Sequence, residues 1–313
     1  MSSITTLGAD RVSRFKDAFG SYRFFVGSLE CLAVSDGALT FPAAWYAANA
    51  QPADVEAVLR AHYLPTTQVT NQTTCLLVST GQQLVLIDTG LKEHLKSAVS
   101  SAAPSQLRLL GRLQEHLAQA GVQPGDIDTV VLTHGHPDHV GGLTNADGSL
   151  AFPNAHYFME RTDWTTFTAP PGHTSAAVEA SGIAVARLTL PAIKDRVTLI
   201  DPGQEIAPGV HTLAAAGHTP GHLGLIVSSG NEYLLHVCDV AAHHVLSLEH
   251  PEWYFAGDLD PQTSMQSRRR LFDRGAVDGP RVFASHFPFP SLGHVVARAR
   301  SWHWEPEVYT WQY

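Results

Sequence analysis

Four potential metal ligands lie within six residues of one another, directly after an apolar run at residues 130–132. That β-branched run is typical of a buried strand that ends at Thr133. Imidazole and carboxylate together suit zinc and its first-row neighbours, so the segment predicts a metal site. The four side chains are those of His134, His136, Asp138 and His139.

The spacing of these residues indicates how they could face two cations. Side chains alternate along an extended segment, so His134 and His136 point the same way from the strand end. Pro137 then redirects the chain, and Asp138 and His139 start a short helix. The alternative is that the histidines cap a helix or lie solvated in a loop. Their packing into so short a segment favours the metal site.

The segment H-G-H-P-D-H resembles the H-x-H-x-D-H signature of the metallo-β-lactamase superfamily. The resemblance implies an α/β fold, a four-layered αββα sandwich, with a two-metal site at one edge. It also implies a later His, a bridging Asp and a last His. The residues that match are His218 in G-H-T-P-G-H, Asp239 after an apolar strand, and His286 in F-A-S-H-F-P.

The resemblance divides the ligands into two sets, His134, His136 and His218 for one cation and Asp138, His139 and His286 for the other, with Asp239 bridging. Zinc is the first choice for both ions, with manganese, cobalt or iron as alternatives. The chemistry that we expect is hydrolysis by a hydroxide held between the cations, with Asp138 and Asp239 as the catalytic carboxylates. Asp138 could also pass a proton to the leaving group, although a carboxylate bound to metal suits that role poorly.

Further residues are expected around the ligands. The resemblance places Asp88 beneath the metals, where it supports a histidine ligand through that ligand's second ring nitrogen; the alternative is a turn cap. His222 is expected to be a hydrogen-bonding neighbour of the ligands. His243 and His244 are expected at the pocket rim or in solvent, and His294 in a structural role.

Two aromatic residues are candidates for the substrate pocket. Trp164 and Phe167 lie on a predicted short helix in a region that borders the pocket in this superfamily. Core packing is the alternative for each of them.

Length and composition limit the function classes. With 313 residues and no linker, the chain is expected to form an N-terminal arm, 1–21, and one domain, 22–313. A homodimer contact is one role for the arm. The net charge of −9 disfavours a nucleic-acid partner, because phosphate binding needs a basic face. The absence of a signal-peptide core or a long apolar run predicts a cytoplasmic protein without a membrane partner.

The three cysteines are odd in number and scattered along the chain, so no disulfide framework is predicted. Cys238 directly precedes Asp239. If both residues were on one strand, their side chains would face opposite ways, which predicts a buried packing thiol.

The hydrophobic pattern and the turn residues predict the elements that position these side chains. Predicted helices cover residues 52–63, 91–101, 104–119, 160–167 and 262–274, the last with Arg268, Arg269 and Arg270 on a solvated face. Predicted strands cover residues 22–26, 29–34, 75–78, 84–87, 155–159, 210–214, 232–237 and 281–285, with a turn at 35–37 and a final strand from 293.

Several stretches outside the ligands resemble the methyl parathion hydrolase and aryl-lactonase branch, namely residues 32–37, 150–155, 217–222 and 289–294. This narrower resemblance implies neutral lactones and aryl esters as substrates, with phosphotriesters as a side activity. One alternative is a thioesterase of the glyoxalase II kind, which would need basic residues for glutathione. Another is a non-catalytic binding member, which would lack ligands.

Overall fold

The computed structural model describes residues 13–99 and 104–308, whose strands form two seven-stranded sheets. The first sheet contains, in order across the sheet, β1 (Ser21–Val26), β2 (Leu29–Pro42), β3 (Gln68–Ser79), β4 (Leu84–Ile87), β5 (Thr129–Leu132), β6 (His156–Glu160) and β7 (Val197–Ile200). The second contains β8 (Glu205–Ala207), β9 (Val210–Ala214), β10 (Leu223–Ser229), β11 (Glu232–His236), β12 (Arg281–Phe283), β13 (Leu292–Ala297) and β14 (Trp302–Pro306), with β14 and β8 at its edges.

Both sheets are mixed, and their parallel parts determine where the loops meet. In the first sheet, β4, β5, β6 and β7 run parallel. In the second sheet, β11 and β12 run parallel, and the other neighbours are antiparallel. Parallel strands end at the same edge of a sheet, so the segments after β4 and β5, and those after β11 and β12, are brought together.

The core confirms the predicted layering of helix, sheet, sheet and helix. Along β5, Val131 faces the second sheet and contributes to the core between the sheets, whereas Val130 and Leu132 face the opposite way. This alternation is the expected consequence of the two-residue strand period. Helices pack on both outer faces. They are α1 (Pro52–Ala61), α2 (Leu113–Gln119), α3 (Pro137–Val140), α4 (Arg161–Thr168), α5 (Ala176–Ala180), α6 (Ile183–Thr189), α7 (Leu246–Glu249) and α8 (Pro261–Asp278).

Two predicted helices are shorter in the structure. Of the helix predicted at 104–119, the α-helical part begins only at Leu113, after a short 3₁₀ turn at Pro104–Gln106. Gly111 has a φ of +97°, which breaks the helix although Leu110, Leu113 and Leu117 are all buried as predicted. The helix predicted at 91–101 is a 3₁₀ segment at Glu93–Ala98, and residues 100–103 lie outside the described residues.

The turn predicted at 35–37 is wrong, because β2 runs through it with a bulge. The residue that replaces the predicted turn with a continuous strand is Asp36, whose carboxylate is buried. It accepts backbone hydrogen bonds from Leu91, Gly111 and Leu113, and so fixes the two segments that follow β4. Burial raises the pKa of Asp36 to about 7, against the lowering effect of these three N–H groups.

The three consecutive arginines of α8 do not share a solvated face. Arg269 and Arg270 are exposed, but Arg268 is buried. Arg268 donates hydrogen bonds to the backbone carbonyls of Val240 and Trp253, so its helix face points to the protein interior. The prediction of a common solvated face is therefore wrong for Arg268.

The chain ends differ in detail from the predictions. Residues 1–12 of the predicted arm lie outside the described residues, while Phe15 is buried in the core. The division into an arm and one domain stays a prediction, as do the homodimer and the cytoplasmic location. His294 is exposed on β13. The strand predicted from 293 is not the last one, because β14 follows it. Within the described residues no helix has the length and apolarity needed to cross a membrane.

Candidate metal centre

The four histidine and aspartate residues after β5 lie at the edge where the predicted metal site was expected. His134 and His136 follow the strand in an extended segment, and His136 is the N-cap residue of α3. Asp138 and His139 lie on α3 itself, which ends at Gly141, as the sequence predicts. The strand end therefore supplies His134 and His136, and the single helical turn supplies Asp138 and His139, at the same edge of the sheet.

Three side chains from the second sheet complete the cluster. His218 lies beyond β9, Asp239 beyond β11 and His286 beyond β12. Asp239 is at the centre, since its Oδ2 approaches ring nitrogens from both predicted ligand sets. The distances from Asp239 Oδ2 are 3.0 Å to His286, 3.3 Å to His139, 3.4 Å to His218 and 3.8 Å to His134, each measured to Nε2.

Two groups of potential ligand atoms can be distinguished within the cluster. In one, His136 Nδ1 lies 3.1 Å from His134 Nε2 and 2.8 Å from His218 Nε2. In the other, Asp138 Oδ2 lies 3.7 Å from His139 Nε2 and 3.5 Å from His286 Nε2. Within each group the ligand atoms all lie within 4.8 Å of one another.

These residues fit divalent cations in chemistry as well as in spacing. Among the described residues the buried Nε2 of His139 has no hydrogen-bond partner, although Asp239 Oδ2 is 3.3 Å away. A buried ring nitrogen without a partner costs free energy, which a bound cation would recover. Nitrogen and carboxylate oxygen are the donors that zinc and its first-row neighbours prefer.

Burial and the central carboxylate of Asp239 shift the pKa values of the cluster histidines in opposite directions. Burial and the neighbouring histidines hold the pKa values of His134 and His136 well below their usual range, so both rings are neutral. Burial also opposes charge on His286, but Asp239 overcomes it and raises that pKa to about 9. Despite burial, His286 and His139 hold the pKa of Asp239 well below its usual range. Cation binding must therefore displace protons from the carboxylate-facing histidines.

Asp88 occupies the position beneath the cluster that was predicted for it. Its carboxylate accepts hydrogen bonds from the Thr133 backbone N–H and hydroxyl, both at 2.8 Å, and lies 2.8 Å from His139 Nδ1. His139 is thereby oriented with its Nε2 toward Asp239. Asp88 follows strand β4 with a φ of +63°, and its carboxylate contacts Thr133 and His139 rather than capping the turn after it.

A second buried carboxylate, Asp163, was not predicted. It accepts hydrogen bonds from Gly135, between the first two histidines, and from Thr219 and Gly221, beside His218. Asp163 therefore holds the loops of both sheets against each other, and burial raises its pKa to about 6. An acidic residue in the first turn of a helix is so common that its sequence position gave no signal.

His222 and Cys238 lie against the cluster in different ways. His222 Nδ1 lies 2.9 Å from the Ala215 carbonyl, and His222 Nε2 accepts from the Asp239 N–H, so both ring nitrogens are engaged within the protein. The strand argument for Cys238 is wrong, because β11 ends at His236 and Cys238 has a φ of +49°. Its buried thiol lies 3.0 Å from Thr133 Oγ1 and 3.4 Å from Asp239 Oδ1, on the same side as the carboxylate.

The two histidines after Asp239 are not solvated as predicted. His243 is buried, and its Nδ1 accepts hydrogen bonds from the backbone N–H groups of Val245 and Leu246. It therefore helps to start α7. His244 is half-buried and stacks on His243 with ring centroids 4.7 Å apart.

A cavity of about 400 Å³ opens onto the cluster. Its floor includes Asp138 and Asp239, and its walls are mainly apolar, from residues that include Leu39, Phe41, Trp45, Tyr46, Leu91, Leu107, Phe255 and Leu259. Among the described residues no Lys or Arg lines it. The cavity therefore offers a charged floor and a mainly apolar wall, which also includes Asp258.

The aromatic residues predicted for the pocket are not among those that line this cavity. Phe167 is fully buried and contacts the ring of His136 from the core side, with centroids 5.6 Å apart. Trp164 is half-buried and packs against the same core. Tyr46 lines the cavity instead, and its buried hydroxyl has no hydrogen-bond partner among the described residues. It lies in a segment, 43–47, whose alanines and aromatics gave no periodic signal.

Comparison with known proteins agrees with this geometry. Residues 69–286 match the metallo-beta-lactamase superfamily, and the match includes all seven side chains of the cluster. An N-acyl homoserine lactonase of Bacillus thuringiensis is 24% identical over 220 residues, which are 68% of this chain and 80% of the relative. The corresponding lactonase of Bacillus cereus is 26% identical over the same length.

Solved structures resemble the chain over nearly all of its length. The dizinc quorum-quenching lactonase AidC, in complex with a homoserine product, is 28% identical with a TM-score of 0.83, covering 93% of this chain and 98% of its own. The hydrolase AbOPH is 27% identical with a TM-score of 0.82, covering 94% of this chain and all of its own.

Proposed function

Because the chain belongs to the metallo-β-lactamase superfamily and is a metal-dependent hydrolase, we propose that it hydrolyses small, neutral lactones and aryl esters. The observation that carries this proposal is the seven-residue cluster at the floor of an apolar cavity without a basic residue among those described. A substrate that carries a carboxylate or phosphate away from its reacting group would meet no basic side chain on the described cavity wall. A neutral ester would bury only apolar surface and one reactive carbonyl.

In this proposal, His134, His136 and His218 hold one cation, and Asp138, His139 and His286 hold the other. Asp239 is shared between them, since its carboxylate approaches nitrogens of both groups. Zinc is the first choice, with manganese, cobalt or iron as alternatives. Bound there, two divalent cations supply an acidified water molecule and positive charge against the substrate carbonyl.

The chain's own residues determine what else can happen at the site. The apolar walls exclude bulk water and hold the substrate's hydrocarbon part, which orients the carbonyl toward Asp138 and Asp239. The relatives that are lactonases support the lactone as the preferred ester. The proposal further includes arylesterase and phosphotriesterase activity, as in the methyl parathion hydrolase branch. A glutathione thioesterase is disfavoured, because no Lys or Arg among the described residues lines the cavity to bind the carboxylates of glutathione.

A substrate panel tests this proposal. After chelation and reloading with zinc, manganese or cobalt, we expect turnover of an alkyl γ-lactone and an aryl ester, and slower turnover of a p-nitrophenyl phosphotriester. Chelation alone should lower each rate by at least about 10²-fold. Faster hydrolysis of a glutathione thioester would favour the thioesterase alternative. No turnover by protein that carries two cations would favour a binding protein.

Tyr46 offers a narrower test of substrate contact. Its hydroxyl is buried without a partner, and burial keeps it neutral by raising its pKa, so it can donate a hydrogen bond to a bound ester. We expect Tyr46→Phe to raise KM by about 3- to 10-fold, the value of one hydrogen bond. The free energy of unfolding should not fall, because no protein hydrogen bond is lost. An unchanged KM across the panel would contradict this contact, and Tyr63→Phe, at an exposed position, is the control.

A further inference from the structure

The cavity wall at residues 255–259 is tied directly to one histidine of the cluster. All five of these residues line the cavity. The Leu259 N–H donates to the His218 carbonyl at 3.0 Å, and the Asp260 N–H donates to the Gly217 carbonyl at 2.8 Å. The Phe255 ring also stacks on the His218 ring, with centroids 6.1 Å apart. The wall and the His218 loop are therefore joined by two backbone hydrogen bonds and one ring contact.

Asp258 adds a side-chain connection to this backbone contact. Its carboxylate is buried, and Oδ1 lies 2.9 Å from His218 Nδ1. The other oxygen, Oδ2, accepts a hydrogen bond from the Phe255 N–H at 3.3 Å. One carboxylate thus fixes both the turn of the wall and the orientation of the His218 ring, whose Nε2 faces His136.

Arg268 connects the same wall to the central carboxylate of the cluster. Its guanidinium lies 3.7 Å from Asp258 Oδ2 and donates to the Trp253 carbonyl at 2.6 Å. It also donates to the Val240 carbonyl at 2.6 Å, one residue after Asp239. Arg268 does not itself touch a side chain of the seven-residue cluster in any of these contacts. It acts on the cluster only through the segments that it holds.

The two histidines of the other cation group, His139 and His286, are oriented by residues that do not line the cavity. His139 is held by Asp88, and His286 Nδ1 lies 2.8 Å from the Gln72 carbonyl. We propose that Asp258 is a positioning residue that couples the substrate-facing wall to the cation group of His134, His136 and His218. This inference rests on the proposed function only in requiring that the cluster binds cations.

The expected effect is a selective change in the affinity for one of two cations. Removing a carboxylate that orients a metal-bound histidine typically lowers metal affinity by about 10- to 100-fold. We expect Asp258→Ala to show such a loss in one step of a two-step zinc titration against a chromophoric chelator. The other step should stay within about 3-fold, since the second group has its own supports. Asp258→Asn keeps the size and one acceptor oxygen, and its loss should be intermediate.

Arg268→Met tests the coupling while leaving the His218 ring and the Asp258 carboxylate in place, since it removes only the guanidinium that lies 3.7 Å from Asp258 Oδ2. If the wall transmits its position to His218, this variant should weaken the same titration step as Asp258→Ala. The cobalt-substituted protein should also show an altered visible spectrum for that site alone. Arg269→Met, at the exposed neighbouring position on the same helix, is the matched control and should leave both steps unchanged.

These outcomes separate the coupling from a general loss of structure and from the proposed function. A folding defect would weaken both steps together and lower the thermal midpoint, and equal weakening of both steps in Asp258→Asn would overturn the inference. Unchanged affinities in Asp258→Ala and Arg268→Met would also overturn it. Wild-type protein that binds two cations but hydrolyses no neutral ester would refute the proposed function and leave this inference standing.

Discussion

Replacing Asp239 by Ala or Asn is expected to lower kcat by at least about 10³-fold, which is about 4 kcal/mol of lost activation free energy. No other side chain of the cluster approaches both groups so closely, with its Oδ2 3.0 Å from His286 and 3.4 Å from His218. Without it, five buried histidines would surround a site with less negative charge, and cations would repel one another across it. We therefore expect fewer bound cations and an altered distance between them.

The measurement is metal content by elemental analysis together with kcat at saturating zinc. We expect Asp239→Ala to retain fewer than two cations per chain after gel filtration, whereas the wild type retains two. Cys238→Ala is the matched control, since it removes the adjacent buried thiol, whose nearest contact is the Thr133 hydroxyl at 3.0 Å, and leaves the Asp239 carboxylate in place. We expect this control to change kcat less than about 5-fold. An inactive Cys238→Ala with an active Asp239→Asn would refute the assignment of the bridging role.

The clustering of these side chains could be predicted in part from the sequence, because several of them follow a strand end. A buried apolar run followed at once by His or Asp leaves the polar side chain at the sheet edge, as for His134 after β5 and Asp239 after β11. The family resemblance then supplied the pairing between distant segments, which periodicity alone cannot give. The two parallel strand groups brought these ends together.

The supporting residues could not be predicted in the same way, because their roles depend on tertiary contacts. Asp163 and Asp258 each sit in segments that look like ordinary acidic surface positions, yet both are buried. Arg268 carries the same charge as its exposed neighbours, and only the packing of α8 decides which of them faces inward. The predicted orientation of Cys238 was wrong for a related reason. Its φ of +49° ends the alternation of side chains along the strand, on which that prediction depended.

The cavity limits how a leaving group can be protonated. Among the described residues three carboxylates line it, those of Asp138, Asp239 and Asp258. Each lies within 3.7 Å of a cluster histidine, so none is a free acid in the proposed assignment. The hydroxyl of Tyr46 is a poor proton donor, because burial raises its pKa above the ordinary value for tyrosine. An ester oxygen that departs from this site must therefore leave with much of its negative charge.

The rate should for that reason depend strongly on the leaving group. For esters of one acid, we expect kcat/KM to fall by on the order of 10²-fold from p-nitrophenyl to alkyl leaving groups, about 2.7 kcal/mol in activation free energy. Aliphatic lactones should be intermediate, because the departing oxygen stays tethered in the cavity. The series is measured at saturating metal, with Tyr46→Phe as the control for protonation by tyrosine.

Equal kcat/KM for alkyl and aryl esters would mean that a dedicated acid acts or that another step limits the rate. A steeper dependence in Tyr46→Phe than in the wild type would identify Tyr46 as that acid, because only loss of a proton donor exposes more of the leaving group's charge.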